Sequence, residues 1–497
     1  MIDDVKNKNG RPKMPDCCND RRQADNPLCF PIQIPDSDEF YALYGQKCMN
    51  VIRSLPGVHH MCKLGPRDPI NQVTSYLDAS FVYGSDLETE RRMRSYQGGL
   101  LKTLPVFREI GLKDLLPPNL HAPDEGCIRP SRDIFCFDAG DNRVNEQLVL
   151  ATLQTYLMRE HNRIAVELSH LNPHWDDETI YQETRLIIGA VVQQITYNEF
   201  LPMVLGKDVM TKENLVVGRG SKGHKYSPTL DASTSNSFST AAFRFGHSLL
   251  PSTIERWSTS GKYIDARRLS ELLRQPYDMY KGGFVDQYTM GLINQLAQAM
   301  DDAVTQEVTN HLFQMPEHRF GMDLAAINMQ RGREHGLPSY NGFREFCGLP
   351  RVTDFFELNT VMSNNTASAY SDVYGHPDDM DLWSGVVSEK PLDGSMVGPT
   401  LACLIAEQFR VLKEGDRFWF ENQGLPSSFT PEQIDAIHQV KLSNIICDNS
   451  DGIEKLQVYL MVLPDPKINP VVSCATLPRL DLSLWRDVAG AGVHQRK

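Results

Sequence analysis

Ala241-Ala242-Phe243-Arg244-Phe245-Gly246-His247-Ser248-Leu249-Leu250 sets one imidazole among aromatic and apolar neighbours. It lies in a helical run expected over residues 237–250 and stopped by Pro251. A histidine in that setting is either a hydrogen-bonded core residue or a ligand to a metal or haem. The second role requires a partner for the other ring nitrogen, which sets the tautomer and the ring plane.

Outward from this stretch the chain reads as helices. Glu146, Leu150, Leu153, Leu157, Ile164 and Leu168 step by three, four or seven, which predicts a helix over 143–171 capped by Asp141 or Asn142. Further runs are expected over 177–201, ended by Pro202, over 284–313, over 323–333 with Gly336 as C-cap, over 399–413 and over 431–446. Strand signals are few and short, and no internal repeat is visible. The fold class is therefore mostly α. Residues 61–497 read as one large helical domain. Residues 1–60, rich in Pro, Asp, Asn and Cys, read as a disulfide-pinned loop region packed on it.

The 497 residues carry 50 basic and 63 acidic side chains, a net charge of -13. Such a surface repels phosphate backbones, so nucleic acid is not an expected partner. No apolar run approaches the roughly 18 residues of a membrane span. Neither a phosphate-binding glycine loop, nor HExxH, nor GxSxG occurs. Arg159-Glu160-His161 and Arg333-Glu334-His335 look alike, and neither has the second histidine of a zinc protease.

There are 11 cysteines, none in a CxxC pair. Cys127 with Cys136, or Cys48 with Cys62, would close short loops. A disulfide framework in an oxidising compartment is the economical reading, and buried free thiols are the alternative. The sequon Asn364-Asn365-Thr366 is consistent with secretion. The first ten residues are polar and the cysteine count is odd, so the natural N-terminus is expected upstream.

Two more groups have chemical potential. Arg143, Glu146 and Gln147 fall at i, i+3 and i+4, on one face at the start of a leucine-striped helix. They form either a self-satisfied Arg143–Glu146 pair or a ligand contact. Thr74, Tyr76, Asp78 and Ser80 alternate, so an extended backbone would point them one way. Their hydroxyls, carbonyls and carboxylate suit Ca²⁺, although a polar strand face would read the same.

Several long words occur in order. Asn71-Gln72-Val73-Thr74-Ser75-Tyr76-Leu77-Asp78-Ala79-Ser80 leads into Phe81-Val82-Tyr83-Gly84-Ser85. Ala139-Gly140-Asp141-Asn142-Arg143-Val144-Asn145-Glu146 precedes Arg159-Glu160-His161-Asn162-Arg163. The His247 stretch follows, then Asn328-Met329-Gln330-Arg331-Gly332-Arg333-Glu334-His335-Gly336-Leu337-Pro338. With these the chain resembles the animal haem peroxidases, of the myeloperoxidase and peroxinectin type, and most of all insect secreted or chorion-type members. The resemblance runs from about Cys17 to about Arg486.

The resemblance implies the animal haem-peroxidase fold and a haem b cofactor. His247 becomes the proximal iron ligand, with Asn328 accepting from its ring N–H. Arg244 and Arg331 would pair with propionates or support the proximal side. Arg143 becomes the catalytic distal arginine and Glu146 the residue able to esterify a haem methyl. Gln147 stands where myeloperoxidase has its vinyl-bonded methionine, so that link is not expected. Thr74, Tyr76, Asp78 and Ser80 match the family's calcium loop. Family disulfides map to Cys127–Cys136, Cys347–Cys403 and Cys447–Cys474. The implied reaction uses hydrogen peroxide to oxidise small reducing substrates such as phenols, tyrosine or halide, with cross-linking of an extracellular coat as a role.

The family's distal helix, Trp-Gly-Gln-x-x-Asp-His-Asp, has no match in this sequence. His59 and His60 lie in a Pro/Gly/Cys loop and do not read as substitutes. The calcium set is therefore expected to be incomplete. Two further readings follow: a catalytically impaired homologue with a binding or adhesive role, and a fatty-acid dioxygenase of the same fold, whose catalytic tyrosine finds no match.

Overall fold

The computed structural model describes residues 15–19, 26–63, 65–218 and 226–487. It is mostly helical. Among the described residues the only sheets are three two-stranded antiparallel ones. No helix among them is long and apolar enough to cross a membrane. The chain divides into two compact units.

The first unit takes residues 1–71, 236–248 and 301–388. Strand Ile32–Gln33 pairs with Cys48–Met49, and Ile34, Tyr41 and Met49 build a small core with Phe320, Met322 and Ile327. The Tyr41 hydroxyl donates to the Gly321 carbonyl at 3.0 Å, which ties the loop region to the approach of helix Leu324–Glu334. Asp323 caps that helix through the Ala326 N–H, and Gly336 follows its end in the left-handed conformation (φ 66°). The C-cap expectation therefore holds, one residue beyond His335.

The second unit takes residues 72–235, 249–300 and 389–497. Helix Leu148–Leu171 runs through it and is buried over most of its circumference. Leu153 of the expected stripe is exposed, while Arg159, Glu160 and His161 are buried. The helix starts at Leu148, not at 143. Asp141 and Asn142 do not cap it; residues 141–146 form a separate turn. Pro202 does not end the next helix. Asp177–Ile195 passes through a π turn, Thr196–Phe200, and restarts as Leu201–Lys212. Pro202 then falls just past the π turn, where the Leu201 N–H reaches back to the Thr196 carbonyl and the helix continues past a residue that has no N–H. The run expected over 284–313 resolves into Phe284–Asn294 and Gln306–Thr309, and that over 431–446 into Pro431–His438 and Leu442–Asn449.

Disulfides join Cys17–Cys29, Cys18–Cys48, Cys127–Cys136 and Cys447–Cys474. Cys347 and Cys403 are also disulfide-bonded. A Cys48–Cys62 pair is not formed. Cys48 sits opposite Gln33 in the first sheet and bonds Cys18, while Cys62 is free and exposed.

Candidate functional site

His247 ends a 3₁₀ turn, Ala242–His247, that follows a short helix, Asn236–Thr240. The single helix expected over 237–250 is thus broken, at Ala241, whose backbone leaves the helical region (φ -133°). Tertiary hydrogen bonds take over from helical ones there. The Trp383 indole donates to the Arg244 carbonyl at 3.2 Å, and the Ser248 hydroxyl to the Asp301 carbonyl at 2.6 Å.

Asn328, fully buried on helix Leu324–Glu334, meets the His247 ring: its Nδ2 lies 2.9 Å from Nδ1. Arg244 donates to Asn328 Oδ1 at 3.1 Å. This orients the amide opposite to the sequence expectation, because a guanidinium can only donate and so claims the oxygen. His247 Nε2 makes no hydrogen bond among the described residues. Burial, helped by the Arg244 charge and opposed by Asn328, lowers the imidazole to about 4. The ring is therefore neutral at physiological pH, as a metal-ligating imidazole must be. The cluster His247–Asn328–Arg244 lies entirely within the first unit.

Arg331, three residues beyond Asn328, is not part of that cluster. Its guanidinium donates to the Ile52 carbonyl at 2.6 Å and to buried Glu334 at 3.2 Å. Glu334 also has Arg53 at 3.6 Å and His335 at 3.2 Å, and the His335 Nδ1 reaches Asn236 Oδ1 at 2.8 Å. The Arg333-Glu334-His335 word is thus the anchor that fixes the helix carrying Asn328.

In the second unit Arg143 pairs with Asp141, not with Glu146. Its backbone N–H, Nε and Nη2 all reach that carboxylate, at 2.8, 2.9 and 2.6 Å. These bonds hold the Asp141 carboxyl below its usual range despite burial. Glu146 instead faces Arg274 at 3.4 Å, and its carbonyl accepts the Arg274 N–H. Gln147 bridges Leu273 as the N-cap of helix Leu148–Leu171. Gly140, just upstream, packs so closely that a Cβ would overlap the Ser80 carbonyl. That approach joins the Arg143 turn to the Thr74–Ser80 segment.

That segment is a loop, not an extended strand. It runs into helix Ser80–Tyr83 through Ala79 in the left-handed conformation (φ 59°). Asp78 Oδ1 accepts from the Ser80 N–H at 3.0 Å, and Thr74 also hydrogen-bonds this carboxyl. Asp416, which the sequence did not single out, joins Asp78 and Tyr76 on the wall of a cavity of about 540 Å³. Gln193 Nε2 spans the Leu77 carbonyl at 3.0 Å and Asp416 Oδ2 at 3.4 Å. Burial and the Asp78 charge raise Asp416 to about 6, and burial raises Asp78 as well. Two carboxylates near each other in a sheltered place are poorly compensated by the protein alone.

The model of the animal haem peroxidase family matches residues 1–461. Chorion peroxidase of Drosophila melanogaster is 37% identical over 92% of this chain and 56% of its own length. Human myeloperoxidase is 39% identical over 93% of this chain and 61% of its own. The chain thus spans under two-thirds of the length of these curated relatives. Among solved structures, Peroxidase A from Dictyostelium discoideum aligns with a TM-score of 0.74 and 29% identity, over 87% of this chain and 82% of that one.

Proposed function

The chain belongs to the animal haem peroxidase family, and on that premise we propose that it holds haem b through His247 and uses hydrogen peroxide to oxidise small reducing substrates. Phenols, tyrosine and halide are the substrate class, and the setting is extracellular, which the disulfide framework supports.

One observation carries the reading: a neutral imidazole with Nδ1 engaged by a buried amide and Nε2 unclaimed. The donor set fits the group. Haem, when bound, supplies the redox chemistry at iron. The chain's own residues do the rest. Ligation through Nε2 requires the proton on Nδ1, and Asn328 can accept it only with its amide turned over. Arg244 must then release Asn328 Oδ1, and its guanidinium, beside the ring, suits a propionate. Arg331 acts by tying the Asn328 helix to the Ile52 carbonyl.

Arg143 is the residue that stabilises charge developing on a peroxide oxygen, and Asp141 fixes its guanidinium plane. Glu146, with only a long contact to Arg274, is the candidate covalent anchor. Calcium binds Thr74, Tyr76, Asp78 and Ser80, with Asp416 as a second carboxylate that the cation would keep ionised.

The test is reconstitution with haemin. The protein should give a ferric Soret band that changes on adding peroxide and should oxidise guaiacol faster than free haemin; His247→Ala should lose the band. A Soret band with guaiacol turnover no faster than free haemin would favour the impaired, binding-type homologue. A wild-type-like spectrum in His247→Ala would overturn the assignment.

A further inference from the structure

A second cavity of about 830 Å³ lies in the second unit, walled by the π turn Thr196–Phe200, helix Pro431–His438 and the segments around Val217, Glu421 and Tyr459. Glu199, Glu421, Asp435, His438 and Lys441 are its titratable lining residues beside Tyr459.

Glu421 is fully engaged. It accepts from the Gly218 N–H at 3.0 Å and the Trp419 indole at 3.0 Å, and it pairs with His438 Nε2 at 3.2 Å. His438 Nδ1 lies 3.1 Å from Gln194 Oε1. This pair is closed on itself, and its bonds hold Glu421 down at about 2.

Glu199 is different. It is 6% exposed, and Oε1 accepts from the Leu442 N–H at 2.8 Å. Its Oε2 is buried without a hydrogen-bond partner among the described residues. Native structures pair nearly all such atoms with protein or with something bound. The residue stands on a π turn, a departure from α geometry that re-aims side chains and recurs at binding sites. Lys441 lies close enough to favour the charged carboxylate, yet burial outweighs it and raises Glu199 to about 7. The Lys441 ammonium sits 5.7 Å from the Tyr459 ring. Two further carboxyl groups, Glu199 and Asp435, share the lining with one ammonium, that of Lys441.

We propose that this cavity binds a small organic cation, a primary ammonium on an apolar or aromatic stem. The ammonium donates to Glu199 Oε2, Asp435 supplies a second carboxylate at the rim, and the stem lies along Val217, Val440 and Tyr459. This site is independent of haem, and nothing in it enters the peroxidase reading.

Benzylamine is a suitable probe, titrated calorimetrically into the full chain at pH 7, with benzyl alcohol as its neutral counterpart. Benzylamine should bind saturably and at least tenfold more tightly than the alcohol. Titration in buffers of different ionisation enthalpy should show release of about half a proton per ligand, because the ammonium ionises a carboxyl that is half protonated at this pH. Glu199→Gln, which copies the neutral acid in shape, should weaken benzylamine at least tenfold, leave benzyl alcohol unchanged and abolish proton release. Should that variant fail to fold, wild-type proton release against ligand charge remains the test. Equal affinity for amine and alcohol, no binding of either, or binding without proton release would overturn the proposal.

Discussion

His161 and His247 are both drawn down to about 4 by burial, and they differ in what the protein does with the second nitrogen. His161 is fully buried, takes the Tyr83 hydroxyl on Nδ1 at 2.8 Å and reaches the Gly99 carbonyl with Nε2 at 2.9 Å. A carbonyl only accepts, so Nε2 carries the proton, and no nitrogen is left for anything else. His247 gives one nitrogen to Asn328 and keeps the other. Burial and a depressed pKa alone therefore do not pick out a ligand; the ring nitrogen without a protein partner does.

That contrast can be broken in three ways, in falling order of effect. His161→Leu leaves the Gly99 carbonyl and Tyr83 hydroxyl without their partner. It should cost about 3 kcal/mol in chemical denaturation and leave haem uptake intact. Its pH dependence should change too. The folded pKa of His161 lies below the unfolded value of about 6.5, so its contribution is complete above pH 6.5 and is lost as the pH falls through 4. Wild-type protein should lose about 3 kcal/mol over that window from this group, a slope that His161→Leu flattens. Next, Asn328→Leu should weaken haem affinity roughly 10- to 100-fold in a spectrophotometric titration, because the ring loses the group that sets its tautomer. Smallest, Tyr83→Phe should cost about 1 kcal/mol of stability, with no change in the visible spectrum. Loss of haem uptake in Tyr83→Phe would erase the distinction between the two rings.

Long periodic helices were readable from sequence, but some of their ends, the start near 143 and the stop at Pro202 among them, were not. Arg143 and Glu146 share a helical spacing, but three bonds to Asp141 turn the chain first, so the pair never forms. Pro202 read as a stop because a π turn leaves no trace in hydrophobic period. His247 stood out from its own setting, but its pairing with Asn328 was readable only through words of a family; 81 residues separate them, and no local pattern joins them. Asp416 and Glu199 were missed for the same reason. Their significance comes from burial and from partners hundreds of residues away, such as Leu442, 243 positions beyond Glu199. Cys48 with Cys62 looked plausible by proximity, but the strand register turned Cys48 toward Cys18.

Replacing the ring while keeping its space tests the unspent nitrogen most directly. His247→Gly should not retain haem on its own, and millimolar imidazole should restore the Soret band, with the same treatment inert on wild-type protein. Haem retained by His247→Gly without imidazole, at wild-type absorbance, would contradict the account.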